Sequence, residues 1–267
     1  MKTHKIKLVS IILPTYNEAE NIHDLVNELH RILHEYHHEI IVVDDNSPDG
    51  TSECVQKIID GGAEWLQLEK RLEDHGLRKS IWQGIQHANG DTLVWMDCDF
   101  SHPPEKVPLL LQAITSGYDM AVCSRFTANG KQKGAIGEQG ESIAVIFLSS
   151  FINWLLPLML HKGFRDYTSG FIAIRKDVFN SIRLRGDYGE YFMDLINRAI
   201  LLDQSYIEIP FANLPRRAGQ SKTAPTLRIL LKRMPKYASM FMLQIIIRIR
   251  HLCGLSIEDS FDNISNK

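Results

Sequence analysis

The chain has 267 residues, 44% hydrophobic and 23% charged, with 30 Lys and Arg against 32 Asp and Glu for a formal net charge of −2. This composition excludes a disordered chain and fits one large α/β domain with an appendage, or two small domains. The near-neutral balance gives no global drive toward nucleic acid, and the four scattered cysteines (Cys54, Cys98, Cys123, Cys253) lack a C-x-x-C pair, which favours free thiols in a reducing compartment over a disulfide frame or zinc site.

Lys2, Lys5 and Lys7 ahead of the apolar run 9–13 imitate a signal peptide. That run is short, however, and enters Pro14-Thr15-Tyr16-Asn17-Glu18 without a cleavage pattern, so residues 7–13 read as a strand. Asn17 and Glu20 have capping-box spacing, and the helix they introduce puts Ile22, Leu25, Val26, Leu29, Ile32 and Leu33 on one face. A second strand, 40–43, runs into the turn-rich Asp44-Asp45-Asn46-Ser47-Pro48-Asp49-Gly50. A helix carrying Val55, Ile58 and Ile59 follows, then a strand near 63–68, a helix with Ile81 and Ile85, and the apolar strand 92–96. Pro103 and Pro104 open a helix with Val107, Leu110, Leu111 and Ile114, and 120–123 is another strand.

Strands alternating with helices of this length predict βαβ units and a mainly parallel sheet. In such sheets ligands collect at the carboxyl ends of the strands. Asp97-Cys98-Asp99 stands directly after strand 92–96. Two carboxylates one residue apart at that place suit Mg²⁺ or Mn²⁺ at Asp97 and Asp99, with the remaining coordination sites shared with substrate phosphates. A pair of solvated loop aspartates is the plain alternative.

The second half loses the alternation. Residues 129–140, rich in Gly, Lys and Gln, read as a mobile loop. Segment 143–160 approaches the roughly 20 apolar residues of a membrane span, but Ser149, Ser150, Asn153 and Pro157 interrupt it, so a buried or membrane-lying helix pair is expected. Asp166-Tyr167-Thr168-Ser169-Gly170 leads into a strand at 171–174, and a helix at 192–202 carries Asp194. Then comes the basic loop Arg216-Arg217-Ala218-Gly219-Gln220-Ser221-Lys222. In the tail, apolar 238–249 is bracketed by Lys232, Arg233 and Lys236 on one side and Arg248 and Arg250 on the other, a pattern for an interfacial helix on anionic lipid or a helix packed on the protein itself.

Seven segments in register resemble the family-2 glycosyltransferases, and most closely the dolichyl-phosphate mannosyltransferases. They are Leu13-Pro14-Thr15-Tyr16-Asn17-Glu18, the stretch from Val42 to Thr51, Gly76-Leu77, and His87-Ala88-Asn89-Gly90-Asp91, which are followed by the stretch from Met96 to Pro103, Ser124-Arg125-Phe126 with Asp166-Tyr167-Thr168-Ser169-Gly170-Phe171, and Arg216-x-x-Gly219-x-Ser221-Lys222. The resemblance implies a GT-A type, Rossmann-like nucleotide-sugar domain over 1–222, with an acceptor loop at 213–222 and a basic amphipathic tail at 223–267. It implies that Pro14, Tyr16 and Glu18 lie on the nucleotide, that Val43 and Asp45 hold its base and ribose, and that Asp97, Cys98 and Asp99 lie along the diphosphate and metal. It also implies that Arg125, Arg216 and Lys222 are the cations around phosphates.

The activity so implied is metal-dependent, inverting transfer of a hexose, mannose from GDP-mannose or glucose from UDP-glucose, to a polyprenyl phosphate. The enzyme would be cytoplasmic and peripheral at the cytosolic face of a membrane, with a partner subunit as a further possible anchor. Three departures from the family pattern bear on the acceptor: Val145 where an Arg often precedes Ser149, Glu138 and Glu141 in a usually basic stretch, and Arg78-Lys79 after Gly76-Leu77. Two rival expectations therefore stand beside the first. One is a hydroxyl acceptor served by a carboxylate base, for which Asp166 and Asp194 are the candidates; the other is a non-catalytic scaffold on the same fold.

Overall fold

Strands buried on both faces read as continuous apolar runs, with successive side chains sent to opposite layers. In the computed structural model, which describes residues 3–127, 153–219, 227–255 and 257 (side chains of the last helix from 235), this is how the core is divided. Ile11, Leu13, Ile40, Val42, Val94, Ala121 and Ala173 enter one apolar layer. Their neighbours Ile12, Ile41, Val43, Leu93, Trp95, Val122 and Ile172 enter the other.

Seven strands form one sheet: β1 (Val9–Thr15), β2 (His38–Asp44), β3 (Leu66–Lys70), β4 (Thr92–Trp95), β5 (Met120–Ser124), β6 (Ile172–Arg175) and β7 (Tyr206–Pro210). Their order is β3-β2-β1-β4-β6-β5-β7, with β6 antiparallel to both its neighbours and every other pairing parallel. The helices are α1 (Ala19–Ile32), α2 (Thr51–Asp60), α3 (Leu77–His87), α4 (Val107–Thr115), α5 (153–159), α6 (Glu190–Leu201) and α7 (Leu227–Leu252). One face of the sheet is covered by the apolar stripes of α1, α2 and α4, and the other by α3, α5 and α6. A mainly parallel α/β sheet is therefore what the structure shows.

The differences from the sequence reading are local. Asn17 does not cap α1: it takes a left-handed φ of 56°, Glu18 occupies the N-cap position without a side-chain cap bond, and the first helical amide, that of Ala19, donates instead to Asp49 Oδ2 at 3.0 Å. β3 is displaced toward its carboxyl end. β7 was not anticipated, because Tyr206–Pro210 is short, half-buried along its whole length and lies at the sheet edge, where no continuous apolar run is needed. The loop at 129–140, Glu138, Glu141, Val145 and Lys222 lie outside the described residues. Residues 238–249 are helical within α7, which buries Met240, Gln244 and Ile247 and exposes Met242, Ile246, Ile249 and Leu252. Among the described residues no helix is long and apolar enough to cross a membrane.

At the amino ends of β1 and β2 the sheet is tied by a buried carboxylate. Glu39 accepts from Ser10 Oγ at 2.6 Å, from the Asn89 amide at 2.6 Å and from Gln67 Nε2 at 2.9 Å. Burial pushes its pKa up, but the bonds from Ser10 and Asn89 outweigh burial and hold it below the usual carboxylate range. Gly90 crosses β1 at this point, its amide donating to Ser10 Oγ at 2.8 Å. A Cβ there would stand 2.6 Å from the Leu8 carbonyl oxygen and 2.8 Å from the Ser10 nitrogen. Backbone cannot move aside as a side chain can, so Gly90→Ala should destabilise the protein by about 1–3 kcal/mol. An unchanged urea midpoint would contradict the close approach.

Candidate active site

Parallel strands end together, so their following loops share one edge of the sheet. β1, β2, β4, β5 and β7 all deliver their carboxyl ends there, and antiparallel β6 begins there. Every described segment of the family resemblance except the connection 87–91 contributes to this edge. Its turns use non-glycine residues in the left-handed region, among them Asn17 at φ 56° after β1, Asn46 at φ 55° after β2 and Phe100 at φ 63° in the acidic turn after β4. Asparagine tolerates that region, whereas phenylalanine pays a strain of about 1–3 kcal/mol, and such strain concentrates at functional turns.

Pro14 lies opposite Val43 in the β1–β2 ladder, and its carbonyl accepts a weak bond from Cys98 Sγ at 3.6 Å. Tyr16 is 45% exposed and free to meet a ligand, whereas Glu18 is buried, with its amide on Thr51 Oγ1 and a carboxylate oxygen on Asn21 Nδ2, both 2.9 Å. The turn after β2 is organised by Asp44 rather than Asp45: Asp44 accepts from Thr15 Oγ1, the Ser47 amide and Ser52 Oγ. Asp45 reaches away, to Arg71 Nη1 at 2.6 Å, Ser80 Oγ at 2.8 Å and the Gly76 amide at 2.7 Å. Gly76 has φ 143°, so glycine is the residue that brings this amide to the carboxylate without strain. Sequence reasoning missed Arg71; the basic Glu69-Lys70-Arg71 stretch was its only signal, and nothing in the sequence pairs it with Asp45.

The acidic pair splits into two environments. The Asp97 side chain is half exposed, while Asp99 is 1% exposed. Asp99 Oδ1 accepts from the Ser101 amide at 2.9 Å; Oδ2 accepts no hydrogen bond and meets Arg216 Nη1 only as an ion pair. Burial raises the Asp99 pKa, yet Arg216 and Ser101 overcome burial and hold the carboxyl below its usual range. The segment after β7 lies over this turn, with the Leu214 amide on the Ser101 carbonyl and the Arg217 amide on the Asp99 carbonyl, both 3.0 Å. Arg217 pairs with Asp24 at 3.0 Å and covers the Phe100 ring at 5.1 Å, so it braces the loop against α1.

Arg125 and Asp166 form a two-pronged pair. Arg125 Nε and amide both donate to Oδ2 at 2.9 Å, and Nη2 donates to Oδ1 at 2.8 Å and to Thr168 Oγ1 at 2.7 Å. Asp166 is fully buried. Asp194, the other base expected from sequence, is also fully buried: Arg198 and Gln244 Nε2 hold its oxygens between α6 and α7. It is neither a solvated helix residue nor a free base.

The donor set fits a hard divalent cation. Asp97 and Asp99 supply the hard carboxylate oxygens such a cation takes: Asp97 stands partly open to solvent, and Asp99 Oδ2 accepts no hydrogen bond, although Arg216 Nη1 already meets it as an ion pair. Among the described residues no cluster of three or more His, Cys, Asp or Glu side chains could enclose a metal by itself. The pair thus leaves coordination sites for phosphate oxygens and water, as Mg²⁺ and Mn²⁺ prefer.

The fold and the site thus define an α/β protein with an acidic turn and guanidinium groups gathered at the carboxyl edge of its sheet. The chain belongs to glycosyl transferase family 2, whose sequence model matches residues 10–183. Dolichol-phosphate mannosyltransferase of Pyrococcus furiosus is 32% identical over 214 residues, 80% of this chain and 58% of that protein, so this chain spans less than two thirds of that relative. Polyprenol monophosphomannose synthase of Mycolicibacterium smegmatis is 32% identical over 218 residues, 79% of each. Among solved structures, mannosyl-3-phosphoglycerate synthase from Rubrobacter xylanophilus superimposes with a TM-score of 0.63 at 18% identity, covering 94% of this chain and 76% of that one. Glucosyl-3-phosphoglycerate synthase from Mycobacterium tuberculosis, solved with Mn²⁺, UDP and glucosyl-3-phosphoglycerate, gives 0.60 at 19% identity over 94% and 81%. These two establish the fold, GT-A type, and nothing finer.

Removing one partner of a buried ion pair strands the other charge, at a cost of about 3–5 kcal/mol. Asp166→Ala should therefore lower the unfolding free energy by roughly 3 kcal/mol or more. A free catalytic base would lose activity with stability unchanged, so chemical denaturation separates the two roles. Asp99 has a depressed folded-state pKa, so its contribution is complete above the ordinary carboxylate range of about 4 and is lost as pH falls through the depressed value. Arg216→Ala should flatten that part of the acid-unfolding profile.

Proposed function

We propose that this protein transfers mannose, with inversion, from a nucleoside diphosphate sugar, GDP-mannose in the first instance, to a polyprenyl phosphate. The observation that carries the choice of acceptor is the Asp166–Arg125 pair. Both carboxylate oxygens of Asp166 are held by Arg125, and Asp194 is held by Arg198 and Gln244. A hydroxyl acceptor needs a base to take its proton, and neither carboxylate is free to do so. A phosphate acceptor is already ionised near neutral pH and attacks the anomeric carbon directly. The names of the two relatives at 32% identity agree with this reading.

The residues divide the work by charge. As the glycosidic bond breaks, negative charge grows on the leaving diphosphate, and groups fixed in advance around it lower the barrier most. Asp97 and Asp99 would hold a divalent cation, which would supply Lewis-acid stabilisation to that group. Arg216 keeps Nη1 on Asp99 and offers its remaining guanidinium donors to phosphate oxygens from the loop over the acidic turn, and Lys222, a few residues further along, adds a point charge. Tyr16 meets the nucleotide, and Glu18, Asp45 and the backbone at Val43 shape the turns beside it. Arg125 is engaged by Asp166, which fixes its guanidinium rather than leaving it to swing toward a ligand.

The acceptor is a membrane lipid, and α7 supplies the means to reach it. Met242, Ile246, Ile249 and Leu252 lie exposed at helical spacing, with Lys236, Arg248, Arg250 and His251 on the same helix. Apolar residues with flanking cations suit the interface of an anionic bilayer at the cytosolic face, and a partner subunit would be needed only if that contact proved too weak.

Labelled GDP-mannose, with UDP-glucose in parallel, should give a chloroform-soluble product when incubated with polyprenyl phosphate and Mn²⁺. Product from hydroxyl acceptors alone would overturn the reading. Asp99→Asn should cut turnover by about 10²-fold or more through loss of a charged ligand. Ile246→Asp together with Ile249→Asp should abolish sedimentation with anionic vesicles while donor hydrolysis persists; undiminished sedimentation would exclude α7 as the contact.

A further inference from the structure

His102 has no role in the reading above, yet it sits at the centre of the site. Its ring is 4% exposed and stacks on Phe171, with centroids 4.9 Å apart and planes at 11°. Phe211 closes the ring's edge at 5.8 Å and 76°. Phe171 stands at the amino end of β6 and Phe211 follows β7, so two strands clamp the imidazole. Its charged surroundings are Asp97, Asp99, Arg125 and Asp166.

The Asp97 amide lies beyond the end of β4 and donates to His102 Nδ1 at 3.0 Å. An accepting Nδ1 places the ring proton on Nε2, which faces Asp97 Oδ2 at 4.0 Å. Both ring nitrogens thus address one residue, the first at its backbone and the second at its carboxylate. Phenylalanine could fill the same slot and stack equally well, but it could not accept the amide proton.

We infer that His102 is a positioning residue: its Nδ1 holds the Asp97 peptide, and so aims the Asp97 carboxylate at the divalent cation. This rests on the cation reading of Asp97 and Asp99 proposed above. The outer partners of metal ligands orient them, and losing one typically weakens metal binding about 10–100-fold.

The test is a titration of the full chain with Mn²⁺ in the presence of GDP, with free Mn²⁺ followed by electron paramagnetic resonance. His102→Phe keeps the stack and removes the acceptor. It should weaken Mn²⁺ about tenfold or more and raise the KM for Mn²⁺, while kcat at saturating Mn²⁺ stays near that of the parent. His102→Asn places Oδ1 where Nδ1 was and should restore most of the affinity, whereas His102→Gln, with no acceptor at that position, should not. Should His102→Phe fail to fold, the Asn and Gln variants decide the matter between them. Equal Mn²⁺ affinity in the parent and His102→Phe, or in the Asn and Gln variants, overturns the role of His102 alone. No saturable Mn²⁺ binding by the parent chain overturns the cation reading itself.

Discussion

Carboxylates taken out of water at the edge of a sheet must be neutralised, and this requirement organises the site. Asp45, Asp99 and Asp166 are each buried, and each meets a guanidinium from another part of the chain: Arg71, Arg216 and Arg125. A buried ion pair adds little net stability over apolar packing, but breaking one is costly. The pairs therefore act less as glue than as specifications, holding the β3–α3 connection, the loop after β7 and the turn before β6 in one arrangement around the acidic turn.

The sheet makes that arrangement possible. Side chains of period two divide the strands between two apolar layers, so the strands are rigid and their ends coincide. Polar loops can then gather at one edge without disturbing the core. The antiparallel β6 matters here: by running the other way, it starts at this edge and places the turn 166–170 beside Arg125. Its first aromatic, Phe171, forms the floor under His102. The proposed mechanism would use this economy of position, since groups fixed in advance around a developing charge stabilise it most.

Much of this was legible in the sequence because it rests on local pattern. The runs 9–13, 40–43 and 92–96 are apolar and bounded by turn residues, and the stripes in α1 and α4 are helical in period, so the α/β alternation follows directly. The acidic turn was legible for the same reason: its position after an apolar strand puts it at a carboxyl end. Less legible were features that depend on who meets whom. Asp166 and Asp194 look like free carboxylates in a sequence, and only packing shows both to be saturated. Asp44 and Asp45 are adjacent and alike, yet one folds back to build its own turn and the other crosses to Arg71.

By itself, then, the sequence determined the layers, the family and the acidic turn, because periodicity and short motifs are properties of neighbouring residues. The tertiary structure decided the direction of β6, the edge strand β7, the partner of each buried charge and the burial of His102 beside Asp97. Those depend on contacts between residues far apart in the chain, and desolvation, which sets what a carboxylate or an imidazole can do, exists only once the chain has closed around it.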